Sequence, residues 1–276
     1  MTKPSLWSLA ARSGTSGTIG AIAMLATCVL GPLAAPARAA TPVELQPLEQ
    51  KYGLKVIALG QPVVDRDRGY TVSCQPPSDA ALLAYMPLVA QEFALYPRDL
   101  VAAVGLERLV LCRDLYVGRD RRGAVPDEED HALFLDVEAQ GSSDRFFRAR
   151  VIHHEFMHMI DLRDDGRYDD PAWAALNRPG FRYGDGGRSR QGDSLQGMVD
   201  TTLVGFLTRY SDSGPEEDKA ELFSYLMMRP KWVTDRTYND DVLRRKVERL
   251  KANLAAFAPS MNSWFWAELE RVRGGR

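Results

Sequence analysis

His154, Glu155 and His158 stand in the order His-Glu-x-x-His, and three of the chain's four histidines (His153, His154 and His158) fall within six residues. On a helix, residues four apart project from one face. His154 and His158 can then each offer an imidazole nitrogen to a single metal ion at about 2.0–2.1 Å. Glu155 lies about 100° further round, where it can reach a water on the ion without being a ligand. A carboxylate beside a metal-activated water is general-base equipment for attack on a carbonyl. His153 points equally far from His154, which assigns it to structure rather than to the metal.

So short a pattern also arises by chance, and its surroundings decide. The flanking pairs Val151-Ile152 and Met159-Ile160 are apolar, so the helix is buried and its histidines need partners. A catalytic zinc takes three protein ligands and keeps one position open. No histidine follows His158, which excludes a three-histidine set downstream and leaves Asp or Glu as the third ligand. The best segment for it is Tyr210 to Phe223, where helical spacing puts Glu217 and Glu221 on one face with Leu222 and Phe223 inward. Glu216 takes the place of Glu217 if that helix is rotated. The plain alternative for all three acids is a solvated helix start favoured by the helix dipole.

The elements that must position these residues follow from the pattern. Residues 54–59 and 69–74 read as short strands, and Ser78 opens a helix that Pro97 closes. Arg108–Val117 and His131–Val137 read as a strand pair, with the charged segment Arg119–Asp130 a solvated hairpin loop. A central helix starts at Ser143 or Asp144 and runs to about Arg163, burying Ile152, Phe156 and Met159 on one face. The long connection Asp164–Asp193 contains Trp173, Phe181 and Tyr183. Helices are expected over 195–209, 216–228, 240–257 and 260–272. Asp161 is a candidate to support a histidine or to finish the helix. The acids Asp164, Asp165, Asp169 and Asp170 lack the ligand spacing of a calcium loop and read as a solvated turn.

These motifs resemble the gluzincin metallopeptidases, specifically bacterial zinc peptidases related to the catalytic domain of anthrax lethal factor. The resemblance runs from about Asp144 to Trp266 and rests on His154-Glu155-x-x-His158, on Tyr210 seven residues before Glu217, and on Ala220-Glu221-Leu222-Phe223. The stretch from Trp173 to Tyr183 is similar as well. The resemblance implies an α+β, zincin-like fold, with a small mixed sheet packed on the His-Glu-x-x-His helix and a helical C-terminal lobe. It implies one zinc ion on His154, His158 and Glu217, Glu155 as general base, and Tyr210 as a hydrogen-bond donor to the developing oxyanion. Glu221 would orient a ligand histidine through its other ring nitrogen.

The first 40 residues carry Lys3, Arg12 and Arg38, no acid, an apolar run from Thr18 to Ala35, and Ala37-Arg38-Ala39. This is the pattern of a signal peptide, so the expectation is an exported chain, periplasmic or secreted. An uncleaved anchor helix, or a lipid on Cys28, are the alternatives. Residues 41–276 are expected to form one catalytic domain, with a sheet-containing lobe over 41–142 and a helical lobe over 143–276. Export leaves Cys74 and Cys112 in an oxidising setting, where an even pair favours one disulfide. With 35 Lys+Arg against 37 Asp+Glu, a basic nucleic-acid-binding surface is not expected. No later apolar run reaches the roughly 18 residues of a membrane span. The expected partner is a peptide or protein substrate. Two other classes use the same residues: a zinc hydrolase of a non-protein envelope amide, and a non-catalytic zinc-binding envelope domain. A purely structural site has no need of Glu155.

Overall fold

The computed structural model describes residues 42–58, 63–64, 71–139, 144–165, 170–187 and 199–274, which all fall within one compact unit. The segment expected to be a signal peptide, and Cys28 within it, lie outside the described residues. Among the described residues no helix is long and apolar enough to cross a membrane.

The order of elements is α1 (Gln46–Tyr52), β1 (Lys55–Ala58), β2 (Val63–Val64), β3 (Val72–Gln75), α2 (Asp79–Phe93), α3 (Arg98–Val104), β4 (Arg108–Val117), β5 (Asp120–Arg121), β6 (Ala124–Asp127), β7 (Ala132–Asp136), α4 (Arg145–Asp165), α5 (Pro171–Ala174), α6 (Pro215–Met228), α7 (Pro230–Thr237), α8 (Asp241–Phe257) and α9 (Ser263–Gly274). The fold is therefore mixed α+β.

The strands make one seven-stranded sheet, with β2, β3, β4, β7 and β6 in spatial order and β1 and β5 also paired to β4. The long strand β4 is its axis. Residues 108–111 of β4 lie parallel to both β1 and β7, and its far end is antiparallel to β3 and β5. The change of partner coincides with a bulge. Between Ser73 and Gln75 a single residue faces Asp114 and Leu115, and Asp114 has a φ of 50°. An extra residue of this kind bends a strand and increases its twist.

Three expectations are corrected here. β4 and β7 are parallel neighbours, not a hairpin, because the chain between them is not a loop: it supplies β5 and then β6, which pairs antiparallel to β7. β7 is consequently interior, and the edge of the sheet is β6 rather than His131–Val137. Residues 199–209 form turns and an isolated bridge between Val199 and Thr208, not a helix; the rest of that predicted helix lies outside the described residues. Cys74 and Cys112 are both buried and are free thiols in this structure. They are hydrogen-bonded to each other, and that bond together with burial pushes the Cys112 thiol far above its usual range.

α4 runs through the centre, packed against α6, α2 and β6. Asp144 begins it, its Oδ1 accepting the Phe146 N–H at 2.8 Å, which satisfies one of the donors a helix start leaves free. Ile152, Phe156, Met157, Met159 and Ile160 are all buried in the main core. A smaller apolar cluster around Val110, Leu115 and Phe134 belongs to the sheet.

Candidate metal centre

The burial of α4 leaves His154 and His158 facing α6 instead of solvent. His154 Nε2 lies 3.0 Å from Glu217 Oε2 and 3.2 Å from His158 Nε2, and His158 Nε2 lies 3.4 Å from the same carboxylate oxygen. Donors on a tetrahedral ion with bonds of about 2.0–2.1 Å sit roughly 3.3 Å apart. Two imidazole nitrogens and one carboxylate in this triangle fit a single zinc-sized ion, and among the described residues these three form the metal-capable cluster.

One side of the triangle opens on a cleft of about 510 Å³, which Glu155 and Tyr210 also line. Residues 123–126 around β6 make one wall, with Arg122 beside them, and Phe147 and Val151 of α4 add an apolar patch.

Around the donors the polar interior is closely tied. His154 Nδ1 donates to Glu221 Oε1 at 2.9 Å, which leaves the Nε2 lone pair directed at the triangle. Glu221 is fully buried. Its Oε1 also takes the Arg150 guanidinium, and its Oε2 accepts from Thr208 Oγ1 at 2.8 Å. Burial alone would lower the His154 pKa, but Glu217 and Glu221 outweigh it and raise it to about 10. Burial would raise the Glu217 carboxyl, and the two histidines instead hold it well below the usual carboxylate range. For Glu155 burial wins: its pKa stays above the ordinary value although both histidines oppose the shift. Tyr210 sits on a short 3-10 turn, Tyr210–Asp212, just before α6. Its hydroxyl donates to Glu217 Oε1 at 3.0 Å. Burial and that carboxylate keep the phenol protonated, far above its usual pKa.

The structure thus brings His154, Glu155, His158, Tyr210, Glu217 and Glu221 together. Glu216 is outside the donor triangle, its carboxylate lying against Gly214 and Gly186. His153 turns away: Nε2 is 3.1 Å from Glu92 Oε2, and Nδ1 is 2.5 Å from the Tyr96 hydroxyl. Asp161 takes Lys219 Nζ at 2.6 Å. Asp170 accepts the Trp173 N–H and pairs with the same lysine. Sequence reasoning missed Arg150 and Thr208. Arg150 carried a usable signal, a cation one helical turn before His154. Thr208 carried none.

Fold and site together define a mixed α+β protein with a two-histidine, one-carboxylate centre at the foot of a cleft. Residues 134–267, which include every donor, match the model of the family described as "Putative zinc-binding metallo-peptidase". A crystal structure of a protein described in the same words, from Bacteroides caccae, is similar with a TM-score of 0.53 and 15% identity, over 83% of this chain and 88% of that one. At that identity the likeness speaks for the fold. No curated protein matches the chain significantly.

Proposed function

We propose that this protein is an exported zinc-dependent peptidase of the gluzincin type, zincin-like in fold and related to the lethal factor catalytic domain. One ion would be held by His154, His158 and Glu217. The observation that carries the reading is the donor triangle of 3.0, 3.2 and 3.4 Å opening on a cleft that Glu155 shares. Zinc in that place supplies Lewis-acid polarisation of a scissile carbonyl and a lowered pKa for water.

The chain's own residues do the rest. Glu155, its proton affinity raised by burial, takes the proton of the attacking water and returns it to the leaving amine. Tyr210, a protonated donor lining the cleft, offers its hydroxyl to the oxyanion as charge develops. Glu221 holds the His154 ring through Nδ1. The edge strand β6 borders the cleft and offers an extended peptide a strand to pair with, which favours a peptide over a non-protein amide.

Export rests on the basic, apolar and small-residue pattern of residues 1–40. In an oxidising compartment the touching thiols of Cys74 and Cys112 would lose two electrons and two protons to the cell's thiol-oxidising machinery and join as one disulfide. Mass spectrometry of the exported protein under non-reducing conditions, with alkylation, tests both: cleavage near Ala39 and two fewer titratable thiols are expected. An intact N-terminus with freely alkylated cysteines overturns both.

The decisive experiment combines metal content with digestion of a peptide library, using wild type and Glu155→Gln. One zinc per chain and peptide cleavage are expected of wild type. The variant should keep its zinc and lose about 10²–10⁴ in turnover. A zinc-loaded wild type that cleaves no peptide overturns the peptidase reading.

A further inference from the structure

Near its start α6 carries Glu217, Asp218 and Lys219 in succession, and the last two are held by the same neighbouring stretch of chain. Lys219 Nζ lies 3.1 Å from Asp170 Oδ2, besides its bond to Asp161. Asp218 Oδ2 accepts from Trp173 Nε1 at 2.8 Å and from the Tyr183 hydroxyl at 2.6 Å, and Lys246 of α8 lies 2.7 Å from it. Further along, the Gly184 N–H donates to Asp212 O at 3.0 Å and the Gly186 N–H to Ser213 O at 2.7 Å. These two rungs tie the stretch to the turn that joins Tyr210 to α6. Residues 170–187 are therefore fastened at one end to α6, which supplies the carboxylate, and at the other to the turn that leads into it.

The next residue along is Gly187, which is buried. A Cβ there would come within 2.8 Å of Glu217 Cδ, and closer still to Glu217 Oε1 and the Tyr210 hydroxyl. Real Cβ atoms essentially never show contacts under 3.0 Å. Gly187 is not among the glycines with positive φ, unlike Gly186 at 81°. Its backbone conformation does not require glycine; the space does.

We propose that Gly187 is a positioning residue of the centre, seated by the 170–187 clamp against Glu217 and Tyr210 so that the carboxylate's other oxygen stays on the two histidines. The role in zinc binding rests on the metal-centre reading above. The packing itself does not. Oε1 of Glu217 takes the Tyr210 hydroxyl while Oε2 faces His154 and His158. A side chain at 187 has room only if Oε1 and the hydroxyl both move, and moving Oε1 turns the carboxylate.

The test uses the full chain and two readouts. Competition with a chromophoric chelator should show Gly187→Ala binding zinc at least about tenfold more weakly than wild type, the scale of losing a ligand's support. Gly184→Ala is the control. Its Cβ would meet Ser213 O at 3.4 Å, an ordinary contact, and its affinity should stay within about twofold of wild type.

Thermal unfolding of the zinc-free protein supplies the second readout. Gly187→Ala should lower Tm by about 4 °C or more in the wild-type background, and by less than half as much in a Glu217→Ala background. If Gly187→Ala alone does not fold, the clash reading requires that adding Glu217→Ala restores folding. Wild-type zinc affinity in Gly187→Ala, an equal Tm loss in both backgrounds, or no rescue by Glu217→Ala would overturn the proposal. A wild type that binds no zinc refutes the metal centre instead, and the Tm comparison then still decides the packing.

Discussion

On the sheet side of the molecule, the small interior formed by Val72, Cys74, Val110, Cys112, Leu115 and Phe134 is apolar, with one buried carboxylate at its border, Asp136, which accepts the Leu115 N–H at 3.2 Å. Between α4 and α6 the interior holds Arg150 with Glu221, Lys219 with Asp161, and the donor triangle itself, while Lys246 and Asp218 pair on the far side of α6. Apolar burial stabilises at about 25 cal/mol per Å² with no demand on direction. Buried ion pairs contribute little net stability, because desolvation offsets the attraction. They do fix geometry, since each donor and acceptor has to be met. The contrast teaches that the sheet side supplies stability while the helical side trades some of it for placement.

The largest expected effect comes from unbalancing the helical side. Arg150→Met leaves Glu221 buried beside Thr208 and His154 without its cation, and should destabilise by about 3–5 kcal/mol in denaturant unfolding. Arg150→Met combined with Glu221→Leu should recover most of that loss, since an apolar pair of similar volume replaces the ions. The same double variant should bind zinc about 10–100-fold more weakly, because the His154 ring has lost its Nδ1 partner. Wild-type zinc affinity in the double variant would break the comparison: the network would then be scaffolding alone.

A somewhat smaller effect of opposite character belongs to the sheet. Leu115 is fully buried there, and Leu115→Ala should cost about 3 kcal/mol through lost burial and the cavity left behind. Zinc affinity should stay within about twofold of wild type, measured by the same chelator competition. Smaller again is Thr208→Val, which keeps the shape and removes the hydroxyl on Glu221 Oε2. About 1–2 kcal/mol of stability should be lost for the unsatisfied oxygen. Full stability in Thr208→Val would mean that Glu221 is held by Arg150 and His154 alone.

The same division explains what the amino-acid order disclosed. His154, Glu155 and His158 were legible because they lie within one helical turn, where spacing alone sets geometry. Tyr210, Glu217 and Glu221 were legible through their register in a known motif. Arg150 and Glu221 are 71 residues apart, and His154 and Glu221 67; no local rule couples them. Gly187 looked like any loop glycine until its neighbours were in place. β6 hid in a charged segment because its residues do not alternate: Ala124, Val125 and Asp127 are all buried. The parallel pairing of β4 with β7 was unreadable for a related reason. Adjacency in sequence suggests a hairpin, and only the course of β5 and β6 reverses that.

The smallest effect tests whether the charged style of interior extends to the other flank of α4. There Glu92, 2% exposed, joins His153 of α4 to Arg273 of α9. Burial would raise its pKa, but the hydrogen bonds and charges of His153 and Arg273 win and bring it down to about 2. A folded pKa below the unfolded one means that the stabilisation is complete above about pH 4.5 and fades as pH falls toward 2. The zinc-free protein should therefore lose about 1 kcal/mol between neutral pH and pH 4 from this group. Glu92→Gln, less stable at pH 7, should not show that portion of the acid loss, whereas Leu115→Ala should show all of it. Unfolding free energies at pH 7, 5 and 4 decide the matter. If the wild-type and Glu92→Gln profiles run parallel, Glu92 is not held ionised by His153 and Arg273, and placement by buried charge is confined to the α4–α6 side.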